Sequence, residues 1–359
     1  MTVNPRHTIC ADATVSRALA MLNDLSGGAM TLFVCDSDER IIGSLTDGDI
    51  RRALLAGVNV NDNVCKAMRS EFRAIHADTD SAHQIVVKLR EMRLNGITLV
   101  PVLDNDNKLL EIIDLHKTSS RLPLNAILMA GGKGERLRPM TLTTPKPLLQ
   151  IEGKAIIDYN IEAMAAAGIT NISVITRYLA EQLYSHFSTP VAGVKVNCIT
   201  EDKVLGTIGG AALAITPDSI NQNTLVMNSD LLTTISFEDM YLRHIAEDAD
   251  VSVAVLPYTL SVPYAILATD DNSRVTNIEE KPTYTYFANA GIYIFKNSIL
   301  ASISTDSRTD ATDLIQDVIS RGGKVVCHPV NGTWIDIGSP ADFSRASEMM
   351  RHHNNLSRR

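Results

Sequence analysis

The chain has no pair of cysteines at CxxC spacing, and its five cysteines, Cys10, Cys35, Cys65, Cys198 and Cys327, are odd in number. That disfavours both a disulfide scaffold and a thiolate zinc site. With Cys35 and Cys198 inside apolar runs, the thiols are expected to be reduced and buried. The nine histidines form no HxxxH pair, so no metal is assigned to them. No apolar run approaches the length of a membrane span, and "MTVNPRHTIC" contains no apolar leader; a soluble, cytoplasmic chain without a membrane partner is expected. Basic charge is also scarce: 33 lysines and arginines against 41 acids leave a net charge of −8, which argues against nucleic acid as a partner. Tryptophan occurs once, at Trp334, where packing is the expected role.

What is present begins with length. A chain of 359 residues exceeds what one core usually serves, so two domains are expected. The first third carries an internal duplication. "TICADATVSRALAML" (8–22) reads against "AIHADTDSAHQIVVKL" (74–89), and "TLFVCDSDERIIGSLTDGDIRRAL" (31–54) against "TLVPVLDNDNKLLEIIDLHKTSSR" (98–121). Each unit predicts a helix, an apolar strand, an Asp/Asn turn, a second strand and the start of another helix. "TSSRLPLN" (118–125), with Pro123, marks the boundary, giving domains 1–120 and 124–359.

The duplicated part resembles a CBS-domain pair, an α+β regulatory or dimerising module. The resemblance rests on Gly43 followed by Thr46-Asp47-Gly48-Asp49. It implies that Thr46 and Asp49, opening a helix whose first turn carries Arg51 and Arg52, hold an adenine nucleotide, with Arg51 as the assigned cation. A helix N-terminus with cations nearby suits phosphate. In the second unit Glu111, Asp114 and Lys117 replace the Gly, Thr and Asp, so at most one cleft is intact. A dimer platform without a ligand is the alternative, and a homo-oligomer is expected in either case.

Beyond Pro123, strand and helix patterns alternate. "NAILMA" (125–130), "NISVITR" (171–177), "VKVNCIT" (194–200), "TLVMNSD" (224–230) and "VSVAVLP" (251–257) read as strands. "KAIIDYNIEAMAAAG" (154–168), "YLAEQLYSHF" (178–187) and "SFEDMYLRHIAEDA" (236–249) read as helices. The alternation predicts a parallel, doubly wound α/β sheet, with ligands at the carboxyl ends of its strands. The loop "GGKGERLRPMTLTTPKPLL" (131–149) follows the first strand. It is not a Walker loop, since no Gly-Lys-Ser/Thr closes it. The dinucleotide GxGxxG pattern fails at Leu137. What remains is a loop whose glycines let backbone N–H groups approach phosphates, supported by Lys133, Arg136, Arg138 and Lys146. Pro139, Pro145 and Pro147 stiffen it.

That loop, G-G-x-G-x-R-L-x-P-x-T followed by P-K-P-L, resembles the signature of the sugar-phosphate nucleotidyltransferases, and later landmarks extend the likeness over 124–359. The fold implied is a Rossmann-like, GT-A-like doubly wound mixed sheet. The reaction implied is Mg²⁺-dependent transfer of a nucleotidyl group from an NTP to a sugar 1-phosphate, with pyrophosphate leaving. Arg136 and Lys146 would act on the phosphates. Ala130, Gly131, Gly132, Gly134, Glu201, Gly206 and Thr207 would bind the nucleotide. Asp230 and Asp336 would hold Mg²⁺, and Glu280, Lys281, Asn289 and Gly291 the sugar phosphate. Ala155 and Ser229 depart from the family's usual Pro and Gly. A CBS pair ahead of such a domain resembles glucosamine-1-phosphate guanylyltransferases of legionaminic-acid (nonulosonate) surface-sugar synthesis. The catalytic half also resembles mannose-1-phosphate guanylyltransferases, so GTP and a hexose or hexosamine 1-phosphate are the expected substrates. Two alternatives stay open. One is a phosphocholine-type cytidylyltransferase, with Tyr284, Tyr286 and Phe287 near the sugar segment. The other is a non-catalytic nucleotide-sugar sensor.

Overall fold

The computed structural model describes residues 5–357; the first four residues of the N-terminal stretch, and Arg358 and Arg359 of the C-terminal tail, lie outside them. The chain divides into two compact units, the first made of the chain up to Pro123 with Ala166–Gly168, the second of the remainder from Leu124 onward.

The first unit is built twice from one plan. Strand Thr8–Cys10 lies parallel to Thr31–Cys35, which pairs antiparallel with Ile41–Thr46; Ile75–His76, Leu99–Leu103 and Leu109–Asp114 repeat the pattern. Even the bulge recurs, between Val34 and Cys35 and between Val102 and Leu103. Helix Val15–Asp24, capped by Thr14, buries Val15, Ala18 and Leu22, the three- and four-residue spacing that puts side chains on one face. Helix Ala82–Leu94 starts in a capping box of Ser81 and Gln84. Phe33 and Ile41 of one repeat share a cluster with Leu99, Leu103 and Leu109 of the other, burying faces that a lone three-stranded sheet would leave wet. The repeats differ at their ends. Helix Asp47–Leu55 follows the first, but no helix follows Leu109–Asp114. Lacking the Thr–Asp capping pair, that strand runs into a turn in which the His116 N–H donates to Asp114 Oδ1 at 3.0 Å.

The second unit is organised on a seven-stranded sheet. Its spatial order is Val196–Thr200, Asn171–Thr176, Leu124–Ala130, Asn223–Asn228, Thr283–Lys296, Val251–Ser261 and Val325–Pro329. Helices such as Ile156–Ala166 and Phe237–Ala246 separate successive strands, and Ser236 caps the latter by accepting from the Asp239 N–H. The sheet is mixed rather than wholly parallel: Thr283–Lys296 runs antiparallel to both neighbours. The reason is local. Between Val251–Ser261 and Thr283–Lys296 the chain makes only a small hairpin, Ile266–Thr269 with Val275–Glu279, and antiparallel pairing needs no crossover helix. The central strand Leu124–Ala130 is a continuous apolar run because both its faces are covered, and Ile127 packs with Val226, Val253 and Phe295.

From Leu124–Ala130 the chain first winds outward through Asn171–Thr176 to Val196–Thr200, then returns to the other side at Asn223–Asn228. That reversal opens a crevice at the carboxyl ends of Leu124–Ala130 and Asn223–Asn228.

Two further expectations meet the structure here. All five cysteines are free, but Cys10, Cys65 and Cys327 are exposed rather than buried, because they sit at strand ends, in a short helical turn or on an outward face. Trp334 is half-buried, and its indole N–H donates to the Ala290 carbonyl at 2.9 Å. Near the C-terminus the chain forms helix Pro340–Ser357, opened by Ser339 and Asp342. Among the described residues no helix is long and apolar enough to cross a membrane.

Candidate active site

The crevice holds a cavity of about 530 Å³. Its floor is the glycine loop. Gly134 takes φ 60°, and the Thr141 hydroxyl donates to its carbonyl at 2.8 Å. A Cβ on Gly134 would lie 3.0 Å from Thr141 Cγ2 and 3.1 Å from Lys146 Cβ, so the absent side chain lets the lysine close over the loop. Lys146 starts the short helical turn Lys146–Leu148, fixed between Pro145 and Pro147, and is only 9% exposed.

Its ammonium is ion-paired with Asp230 and lies 3.8 Å from Asp336 Oδ1. Asp230 follows the end of strand Asn223–Asn228. Asp336 reaches the same point by a different route: strand Trp334–Asp336 pairs antiparallel with Leu231–Thr233, with Leu231 opposite Asp336. Burial, and then the charge of Asp230, push the Asp336 carboxyl above the usual range; Lys146 and Arg136 oppose the rise. The Arg136 guanidinium rests over Gly338, where a Cβ would stand 3.4 Å from it. Two carboxylates held against each other's repulsion, with oxygen donors only, fit a hard divalent cation that completes its shell with phosphate oxygens and water. Among the described residues no group of three or more His, Cys, Asp and Glu is placed to hold a metal ion.

Glu201 closes the opposite wall and is 5% exposed. Arg177 Nε donates to its Oε1 at 3.2 Å, while Oε2 has no hydrogen-bond partner. Burial pushes this carboxyl up despite Arg177. Glu201 packs so closely that a Cβ on Gly131 would meet its Oε1 at 2.7 Å. Gly206, at φ 91°, lies against the backbone of Thr309 and leaves no room for a Cβ. Thr207 and Asp310 bind each other's segment: the Thr207 N–H donates to Asp310 Oδ1, and the Ala311 N–H to Thr207 Oγ1, each at 2.9 Å. Asp310 also holds Arg308, which lines the cavity.

The cavity therefore gathers Ala130, Gly131, Gly132, Gly134, Arg136, Lys146, Glu201, Gly206, Thr207 and Asp230, with Asp336 at its edge beside Lys146. It does not gather the expected sugar-phosphate residues. Glu280 and Lys281 follow the exposed hairpin strand Val275–Glu279, and neither lines the cavity. Asn289 instead accepts from the Gly291 N–H at 2.9 Å, and Gly291 makes room for Asn228. Tyr286 and Phe287 are exposed on the same ribbon, and the Tyr284 hydroxyl donates to Glu279 at 2.9 Å. Arg177 and Asn228 line the cavity without having been singled out; both sit at the carboxyl ends of parallel strands, which was the available signal. Arg308 carried no such signal, because its place depends on the Thr207–Asp310 contact.

The first unit has its own cavity, about 540 Å³, lined by Thr46, Asp49, Arg52, Arg69 and Arg73 among others. Thr46 and Asp49 form the capping box of helix Asp47–Leu55. Thr46 donates its N–H and hydroxyl to Asp49 Oδ2 at 3.0 and 2.5 Å, while Arg52 and Arg69 reach Oδ1 at 2.5 and 2.6 Å. Burial would raise this carboxyl, but those donors outweigh it and hold it below the usual range. Arg51 does not line the cavity: one turn back on the helix surface it pairs with Asp47, and Arg52, Arg69 and Arg73 supply the cations instead.

The family model for nucleotidyl transferases matches residues 125–353. The chain belongs to the nucleotidyl transferase family. A CBS-domain model matches residues 1–56. The chain is 33% identical over 230 residues to the "Probable mannose-1-phosphate guanylyltransferase 2" of Arabidopsis thaliana, covering 61% of this chain and 63% of that protein. It is 31% identical over 226 residues to the mannose-1-phosphate guanylyltransferase catalytic subunit beta of Danio rerio, covering 61% and 62%. The chain thus spans a little under two thirds of the length of these curated relatives. A solved structure described as a glucose-1-phosphate thymidylyltransferase from Bacillus anthracis shares the fold, with a TM-score of 0.51 at 22% identity over 64% of this chain and 95% of that one.

Proposed function

We propose that the second unit transfers a nucleotidyl group from GTP to a hexose or hexosamine 1-phosphate, giving a nucleotide sugar and pyrophosphate. The observation that carries this reading is the convergence of Lys146 on Asp230 and Asp336 beside the glycine loop. The names of the relatives support the sugar-phosphate acceptor and the guanine base.

The reaction is attack of a sugar 1-phosphate oxygen on the α-phosphorus of the triphosphate, with pyrophosphate leaving opposite. It needs in-line placement and charge neutralisation rather than a covalent nucleophile. Backbone N–H groups of Gly131 and Gly132 and the Arg136 guanidinium would receive the leaving phosphates. Lys146 would stand at the α-phosphate, where negative charge builds. Asp230 and Asp336 would hold Mg²⁺, which supplies neutralisation of the phosphate charge when bound. The Glu201 carboxylate on the cavity wall is an acceptor suited to guanine, whose N1–H and 2-amino group form a pair of donors. Asn289 and Gly291, in strand Thr283–Lys296 of the central sheet, would complete the acceptor site together with Glu280 and Lys281, whose hairpin would have to approach the crevice. The cytidylyltransferase reading has less support, because Tyr284, Tyr286 and Phe287 do not line the cavity. In the first unit, the arginine-rich cavity would take the phosphate of an adenine nucleotide through Arg52, Arg69 and Arg73.

The test is pyrophosphate release with Mg²⁺ from each of five nucleoside triphosphates against mannose-, glucose- and glucosamine-1-phosphate, with phosphocholine beside them. Release with GTP and one sugar phosphate is expected. A signal only with CTP and phosphocholine overturns the reading. Equilibrium dialysis against AMP, ADP and ATP tests the first unit; no binding at millimolar nucleotide removes the ligand and leaves a dimer platform.

A further inference from the structure

Three of the five cysteines gather in the first repeat of the first unit. Cys10 ends strand Thr8–Cys10, Cys35 ends strand Thr31–Cys35, and the two are register partners across a parallel pair. Partners in a parallel ladder point to the same side of the sheet, and neighbouring strands lie about 4.8 Å apart. That separation falls within the window of about 4.4–6.8 Å between α-carbons that a disulfide requires. The Cys10 side chain lies within hydrogen-bonding reach of the Cys35 thiol, which donates to the Ile9 carbonyl at 3.4 Å. Accessibility is asymmetric: Cys10 is exposed and Cys35 half-buried against Phe33 and its cluster. The third thiol, Cys65, is turned toward the Ala11 carbonyl at 3.3 Å.

We propose that Cys10 and Cys35 form a reversible oxidation site, with a peroxide as the oxidant. Hydrogen peroxide transfers one oxygen to the exposed Cys10 sulfur, forming a sulfenic acid and releasing water. The Cys35 sulfur then attacks the Cys10 sulfur; the sulfenic hydroxyl leaves with the Cys35 thiol proton as a second water, and the S–S bond forms. Two thiols are oxidised and one peroxide is reduced. The exposed Cys10 is the entry point, and Cys35 resolves it before further oxidation. Such a bridge closes the loop of residues 10–35 and pins the three-residue edge strand Thr8–Cys10 to its sheet. An exposed bridge between neighbouring strands belongs to the readily reduced kind, as a reversible site requires.

The test uses the full chain treated with a modest excess of hydrogen peroxide, then blocked with an alkylating agent, weighed intact and mapped by proteolysis under non-reducing conditions. Expected is the loss of two alkylatable thiols, a linked Cys10–Cys35 peptide, and full recovery of both thiols with a dithiol reductant. Cys10→Ser, at an exposed strand end, should abolish the linked peptide without perturbing the fold, and Cys65→Ser should retain it. A bridge mapped from Cys10 to Cys65, a bridge between two chains, or oxidation of Cys10 to the sulfinic acid with Cys35 still free would each overturn the proposal. So would reaction of Cys65 and Cys327 with Cys10 and Cys35 untouched.

Discussion

Lys146 is ion-paired with Asp230 although the two are 84 residues apart in the chain. The pairing joins the end of the glycine loop to the end of the neighbouring strand, across the point where the sheet reverses its winding. With Asp336 3.8 Å from the same ammonium and Arg136 acting on the same carboxyl, two of the loop's cations meet the candidate metal-binding carboxylates.

Replacing that lysine tests the chemistry directly. Lys146→Ala removes the charge placed at the α-phosphate, and turnover should fall by about 10²–10³-fold, the cost of losing one transition-state contact. Far-ultraviolet circular dichroism should be unchanged. Wild-type pyrophosphate release from the variant would take Lys146 out of the mechanism.

Asp336→Asn separates metal binding from folding. The wild-type carboxylate is disfavoured by burial and by Asp230, so the neutral variant should melt no lower than the parent without metal. Added Mg²⁺ with nucleotide should raise the parent's melting temperature and leave the variant's nearly unmoved. An equal rise in both proteins would exclude Asp336 as a ligand.

Base choice should depend on Glu201. In Glu201→Gln an acceptor becomes a donor, which mismatches the donor edge of guanine. A good bidentate base contact discriminates by about 1–3 kcal/mol, so kcat/KM for GTP should drop about 10–100-fold with far less change for UTP. Equal losses for both nucleotides would show that Glu201 holds the loop rather than the base.

His244 provides a pH signature of folding. It is 1% exposed, its Nδ1 is 2.8 Å from Ser252 Oγ, and burial lowers its pKa from 6.5 to about 4. Between those values the unfolded chain takes up a proton that the folded chain refuses. Its contribution is therefore full above about pH 6.5 and is lost as pH falls toward 4, below which both states are protonated. Urea melts across that range should show a steeper loss for the parent than for His244→Gln; identical slopes would mean that other groups set the pH dependence.

Gly206→Ala should destabilise the nucleotide side of the site. At φ 91° an alanine pays conformational strain of about 1–3 kcal/mol, and its Cβ would run into the Thr309 carbonyl. A lower melting temperature with a raised KM for nucleotide is expected. An unchanged protein would mean that the Gly206–Thr309 contact is not held in solution.

Much was determined by the sequence alone, wherever the cause is local. The duplication, the strand–helix alternation, the capping pairs at Thr46–Asp49 and Ser236–Asp239, and the glycine loop are set by neighbours a few residues apart. The length of the loop motif made the family readable, and the rule that strand ends line the crevice placed Asp230. Tertiary structure alone decided the rest. The antiparallel run of Thr283–Lys296 follows from a hairpin too weakly patterned to predict, and that ribbon carries Glu280 and Lys281 away from the cavity. Arg52 rather than Arg51 faces the first unit's cavity because each residue turns a helix by about 100°. Arg308 enters the site, and Cys10 meets Cys35, only through long-range contacts: the Thr207–Asp310 exchange in one case, parallel strand register in the other. Neither leaves a trace in local sequence, since pairing across a sheet is fixed by the packing of whole faces rather than by the residues that happen to meet.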